Sequence, residues 1–184
     1  MGGLLKSIII TRAIHELEES ELNEVKTLLN STNIIKICVN FVQYVGDIRV
    51  FHDHYYYPMY IKYPEKIIVT NKRVLNKYEI EEKDKDRVIL YEKINLPFQR
   101  EDGKLWFRSS SLTTAIDLSY SWLGVTECLL LATNEIDPNN KNFNKIPFEE
   151  QMQDNVSIFP NLYSYKEENN FKLQYKSLID FINK

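Results

Sequence analysis

Through much of the first half of the chain apolar residues alternate with polar ones, and that period of two marks half-buried strands. Between Ile34 and Val45 the side chains of Ile35, Ile37, Val39, Phe41 and Val45 share one parity, with Lys36, Asn40 and Tyr44 on the other. A second β-rich run extends from Ile48 to Tyr57. Gly46-Asp47 between them has the form of a type II′ hairpin turn, so the two runs are expected to pair as antiparallel neighbours. Further strands are predicted around Ile8-Ile9-Ile10, over 66–75, over 87–96, and over 104–108 after the turn Glu101-Asp102-Gly103. The stretch 59–63, bounded by Pro58 and Pro64, reads as an edge strand.

The period changes at three places. Leu17, Leu22, Val25, Leu28 and Leu29 recur at helical spacing over 17–30, and glutamates crowd the first half of that segment, where the macrodipole favours them. A long apolar segment near 112–135 predicts a second helix, interruptible at Gly124. An amphipathic C-terminal helix is predicted over 171–182. The polar, Asn-rich stretch 134–155 reads as a long loop. The expected architecture is one α+β domain spanning 1–184. It has a mostly antiparallel sheet of about six or seven strands, an acidic N-terminal helix, the 112–135 helical segment and a C-terminal helix.

Composition narrows the function classes. The net charge of −3 and a pI near 5.7 give no general attraction to phosphate backbones, so nucleic acid is not the expected partner. Cys38 and Cys128 stand alone in apolar runs, as expected of buried, reduced thiols. No run approaches the roughly 18 apolar residues of a membrane span, and Arg12 cuts short the N-terminal apolar stretch. A cytoplasmic protein, in a cell or an infected host cell, is the expectation. The surplus of Ile, Asn, Lys and Tyr reflects AT-rich codons and a low-GC genome, as in viral or mobile-element proteins.

Candidate chemistry concentrates at Phe51-His52-Asp53-His54-Tyr55-Tyr56-Tyr57. On a strand His52 and His54 would share a face with Asp53 opposite, so two imidazoles could ligate a metal or act as an acid/base pair, with Asp47, Asp53 or Glu101 nearby. His15 reads as a helix-start residue. The Glu-x-Lys spacings at Glu24-Val25-Lys26 and Glu81-Glu82-Lys83 fall outside predicted core strands, and the stretch from Asp137 departs from a calcium loop at Lys141, Asn142 and Phe148. No Gly-rich phosphate loop occurs, so no cofactor is expected. Two binding surfaces stand out. One is the acidic helix start with Glu18 and Glu21; the other is the aromatic set Tyr55, Tyr57, Tyr60, Tyr63 and Trp106.

One short stretch, Ile67-Ile68-Val69-Thr70-Asn71-Lys72-Arg73-Val74-Leu75, resembles the strand–turn–strand signature of bacterial PH-like domains. Over those nine residues the resemblance implies a small barrel used for binding, with Asn71-Lys72-Arg73 as a tight basic turn. The leading functional expectation is a small non-enzymatic module that binds a protein partner. A His52/His54-dependent hydrolase or nuclease is the alternative, and a self-associating structural protein the second alternative.

Overall fold

The computed structural model describes residues 5–11, 14, 17–94, 96–108, 110–131, 145–167, 169 and 171–183, with 145–147 by backbone alone. In chain order the strands are β1 (Lys6–Ile10), β2 (Ile35–Val39), β3 (Ile48–Phe51), β4 (Ile67–Asn71), β5 (Val88–Lys93), β6 (Gln99–Glu101), β7 (Lys104–Phe107), β8 (Glu127–Leu131), β9 (Leu162–Ser164) and β10 (Gln174–Tyr175). The helices are α1 (Glu19–Asn30), α2 (Tyr57–Tyr60), α3 (Ser111–Asp117), α4 (Lys145–Ile158) and α5 (Leu178–Asn183).

Among the described residues all ten strands belong to one sheet in the order β10-β9-β8-β1-β2-β3-β4-β5-β7-β6, and β6–β7 is its single antiparallel pair. The expected antiparallel sheet is therefore overturned. Alternation reports which face a side chain takes, and that alternation is identical whichever way the neighbouring strand runs. The nine-residue likeness to a barrel signature fails with it: Ile67–Asn71 is an interior parallel strand, and Lys72–Asn76 is a 3₁₀ turn capped by Asn71.

Both faces of the sheet are covered. Ile9, Ile37, Val39, Val50, Val69, Tyr91 and Phe107 face α3 and α4. Ile8, Ile10, Cys38, Leu129 and Leu131 face α1 and α5, while Phe51 and Ile68 face Tyr57 and Tyr60 around α2. The layering explains why Ile8-Ile9-Ile10 and Cys128-Leu129-Leu130-Leu131 are apolar at every position, as strands buried on both sides must be. It also shortens the expected helices. Of the expected 112–135 helix, residues 112–131 hold α3, a wider π turn Leu118–Trp122 and then β8, with Gly124 at φ 70 turning the chain between them, and 132–135 lie outside the described residues. Only Leu178–Asn183 is helical at the C-terminus, and 145–158 forms α4 where a loop was expected. Tyr57, expected to end the strand from Ile48, and Met59 and Tyr60, expected in the edge strand 59–63, instead form α2 with Pro58 in its first turn. Both cysteines are buried and free, and among the described residues no helix is long and apolar enough to cross a membrane.

The most constrained connection joins β2 to β3. Residues 40–47 must return the chain to the start of β2, because β3 runs parallel to it with Ile37 opposite Ile48. Eight residues are fewer than the dozen or more that a parallel crossover ordinarily needs, and they leave no room for a helix to occupy the loop carbonyls. Arg49 of β3 takes that role. Its Nη1 donates to the carbonyls of Asn40 (2.6 Å) and Val42 (3.3 Å), and its Nη2 to that of Tyr44 (2.9 Å) and to the Glu65 carboxylate. The guanidinium also lies 3.7 Å from the Tyr63 ring centroid.

At the foot of the loop Asp47 closes onto β2. Its backbone N–H donates to the Lys36 carbonyl, and its carboxylate accepts from the Lys36 N–H, both at 2.8 Å. Gly46 lies so close that a Cβ there would stand 2.6 Å from the Lys36 oxygen and 2.9 Å from Cys38 Sγ. The Gly-Asp pair thus serves close backbone approach in a parallel return, not a hairpin turn.

Arg49→Met should remove the charged donor from three loop carbonyls and leave the buried Glu65 carboxylate without its cation, lowering unfolding free energy by about 3–5 kcal/mol. Urea denaturation reads it, and a loss under about 1 kcal/mol would show that the guanidinium is not the clasp.

Candidate functional site

The carboxyl ends of β3, β4 and β5 gather the densest polar chemistry of the described chain. Phe51 pairs with Thr70 and Asn71 with Tyr91, so His52, Asn71 and Tyr91 occupy one rung across three parallel strands, on the face that α3 covers. β3 ends there because the His52 N–H donates to Ser111 Oγ (2.9 Å) instead of extending the ladder. Asp53 then accepts from the Tyr55 N–H (3.1 Å) and turns the chain into the 3₁₀ turn His54–Tyr56.

The two histidines consequently part company. A shared face required a strand through residue 54; His52 instead packs toward Tyr91, while the His54 ring lies against Tyr55 with centroids 4.1 Å apart. Asp47 sits at the opposite end of β3, and Glu101 lies on the edge strand β6. Among the described residues no group of three or more His, Cys, Asp or Glu side chains converges as a metal site would require. His15 lies outside the described residues. So do residues 12–13, 16 and 132–144.

Within the rung, His52 Nδ1 is 2.9 Å from the hydroxyl of fully buried Tyr91. Burial, then the positive charges of Lys93 and Arg73, hold the His52 pKa down from an ordinary 6.5 to about 4. At neutral pH the imidazole is uncharged and a weak base. Burial also pushes the Tyr91 phenol up, so both partners of the pair are neutral. Asn71, 2% exposed, uses its Oδ1 to cap the following turn at the Arg73 N–H (2.9 Å), and its buried Nδ2 has no hydrogen-bond acceptor.

Behind the rung lies a second polar cluster. Thr114 donates to the Arg108 carbonyl (2.9 Å), and the Arg108 side chain donates to the Gln151 carbonyl of α4 (2.6 Å). Arg108 Nε stands 3.4 Å from Asp117, both side chains being fully buried. Burial pushes the Asp117 carboxyl from an ordinary 3.8 up to about 7, with Arg108 pulling in the opposite direction. Thr113 adds a contact to Gln151 Oε1 at 3.1 Å, so this cluster ties α4 to the body.

Of the aromatic residues expected to bind, Tyr57 and Tyr60 belong to the core, Tyr60 stacking on Phe51 at 3.9 Å, and Trp106 is half-buried on β7. Tyr55 is 57% exposed and joins Tyr56, Met59 and Leu75 in the exposed set, and the cations Arg73 and Lys77 lie on the turn that follows β4. Glu18 occupies the exposed cap position of α1, whereas Glu21 accepts from the Tyr165 hydroxyl (2.9 Å). Tyr91 and Ser111 escaped the sequence reading, and Asn71 entered it only within the basic turn Asn71-Lys72-Arg73. An Asn placed to cap the Lys-Arg turn was the one available signal for them, since their convergence depends on parallel register.

No protein family matches the chain, and neither the curated proteins nor the solved structures contain a match to it.

The two shifted groups act on stability with opposite signs. Lowering of the His52 pKa contributes stability that is complete above 6.5 and is lost as pH falls toward 4. Raising of the Asp117 pKa contributes stability that is complete below 3.8 and is lost as pH rises through about 7. Each slope is at most about 1.4 kcal/mol per pH unit, so the two offset each other between their windows. Denaturation midpoints of His52→Gln should therefore fall from pH 4 to 7, and those of Asp117→Asn should rise. Equal profiles in both variants would contradict the assignment.

Proposed function

We propose that this protein is a non-enzymatic interaction module that binds an acidic protein partner through the turns after β3 and β4. The observation supporting this reading is a pair of exposed aromatic rings held in fixed positions. Tyr55 has Lys77 Nζ 3.9 Å from its ring centroid, and its carbonyl accepts from the Tyr78 hydroxyl at 3.2 Å. Tyr56 meets Phe41 edge-on at 5.2 Å. Rigid, exposed Tyr side chains supply large contact area with little entropy left to lose, the property that makes them binding hot spots. Beside them Leu75, Lys77, Tyr78 and Ile80 line a cleft of about 610 Å³, large enough for a partner's side chains.

Charge selects the partner. Arg73 and Lys77 have no carboxylate partner among the described residues, and Lys72 is shared with Glu92 at 3.1 Å. These cations stand on a chain whose net charge is −3, and Glu79 is the one carboxylate among the residues lining the cleft. An acidic segment with apolar anchors complements it, with charge steering the encounter and the aromatic rings setting residence.

Partners captured from source-cell lysate should be displaced by salt and lost with Tyr55→Ser/Tyr56→Ser. Each ring removed should weaken binding by about 2 kcal/mol, roughly 30-fold. Hydrogen exchange on the complex should protect residues 54–60 and 72–80. Protection of another face, or unchanged affinity in the double variant, would overturn the proposal.

A further inference from the structure

Tyr78 stands where the two halves of the binding surface meet, the exposed rings on the turn after β3 and the cleft that follows β4. We propose that Tyr78 is the positioning residue of that surface, holding Tyr55 in place so that ring and cleft face a partner as one preformed receptor. The proposal deepens the protein-partner reading and rests on it.

Both backbone polar groups of Tyr55 are taken by side chains. Its N–H goes to Asp53 Oδ1 (3.1 Å) within its own turn, and its carbonyl accepts from the Tyr78 hydroxyl (3.2 Å). The second bond joins residues 23 apart in sequence, and it forms because β3 and β4 end side by side with Phe51 opposite Thr70. Lys77 adds its Nζ at 3.9 Å from the Tyr55 ring centroid. Consecutive residues of one turn thus grip the backbone and the ring of the same tyrosine on the other.

Tyr78 itself has a fixed base. Its N–H donates to the carbonyl of fully buried Val74 (3.0 Å), and its ring lies 5.7 Å from that of buried Tyr57. It also lines the cleft beside Leu75, Lys77 and Ile80, so a group seated there meets the residue that holds Tyr55. Tyr55 is 57% exposed, and its position therefore depends on these few surface contacts more than on core packing. A ring ordered before the encounter has less rotamer freedom to lose on binding, and the hydroxyl of Tyr78 is the group that secures this order.

The test uses the full chain with ¹³C-labelled tyrosine rings. Tyr78→Phe deletes one oxygen and keeps the ring beside Tyr57, so Tyr55 should gain ring motion on the ps–ns scale while the urea midpoint stays in place. The hexapeptide Glu-Leu-Glu-Glu-Leu-Glu serves as an acidic probe with apolar anchors. Its affinity should fall about fivefold in Tyr78→Phe, the contribution of one neutral hydrogen bond. In a Tyr55→Ser background the same substitution should weaken binding no further, because Tyr78 then has no ring to position. The proposal is overturned by unchanged Tyr55 motion, by a lowered urea midpoint, which would mark Tyr78 as a support of the fold, or by an equal loss of affinity in both backgrounds. Failure of the unsubstituted chain to bind the peptide would count against the partner reading alone, since the ring measurement needs no partner.

Discussion

A single guanidinium decides the direction of the chain at its tightest point. The return from β2 to β3 is too short for a helix, and a loop laid over a sheet face brings buried carbonyls that must find donors. Arg49 meets those of Asn40, Val42 and Tyr44 from within the strand that the loop leads into. A buried ion pair adds little net stability once desolvation is counted, so the contribution of Arg49 and Glu65 is chiefly one of path. With the path set, β3 runs parallel to β2, and its carboxyl end comes to lie beside those of β4 and β5.

The candidate site inherits its form from that alignment. Three strand ends at one edge place His52, Asn71 and Tyr91 in a row, and α3 closes over them with Ser111 and Thr114. Outside the row, the turns that follow β3 and β4 project Tyr55, Tyr56, Arg73 and Lys77. Depth separates the two chemistries, with neutral hydrogen-bonding groups inside and aromatic and cationic groups outside. A desolvated imidazole bordered by cations stays uncharged at neutral pH and is a weak base.

Thr114 links this edge to a second polar cluster through the Arg108 carbonyl, and from Arg108 the contacts pass to Asp117 and α4. Two titratable groups with opposite stability signs are therefore joined by one helix, α3, whose first residue Ser111 accepts from the His52 N–H and whose last residue is Asp117. Burial drives both shifts, and the sign follows from which protonation state carries charge: the cationic imidazole in one case, the anionic carboxylate in the other.

Local chemistry was legible in the sequence wherever it depended on neighbours along the chain. The fully apolar Ile8-Ile9-Ile10 run is a buried strand, β5 and β7 lie inside their predicted ranges, the acidic segment forms α1, and both cysteines are buried and free. Strand direction was not legible, because a period of two describes faces and is blind to polarity. Gly46-Asp47 satisfies a hairpin turn in composition, yet its glycine is there to clear Lys36 and Cys38. Of the expected aromatic surface only Tyr55 is well exposed, since a 3₁₀ turn and α2 swing Tyr57 and Tyr60 into the core. Only the folded sheet could bring His52, Asn71 and Tyr91 together, for they stand about 20 residues apart and meet through register alone.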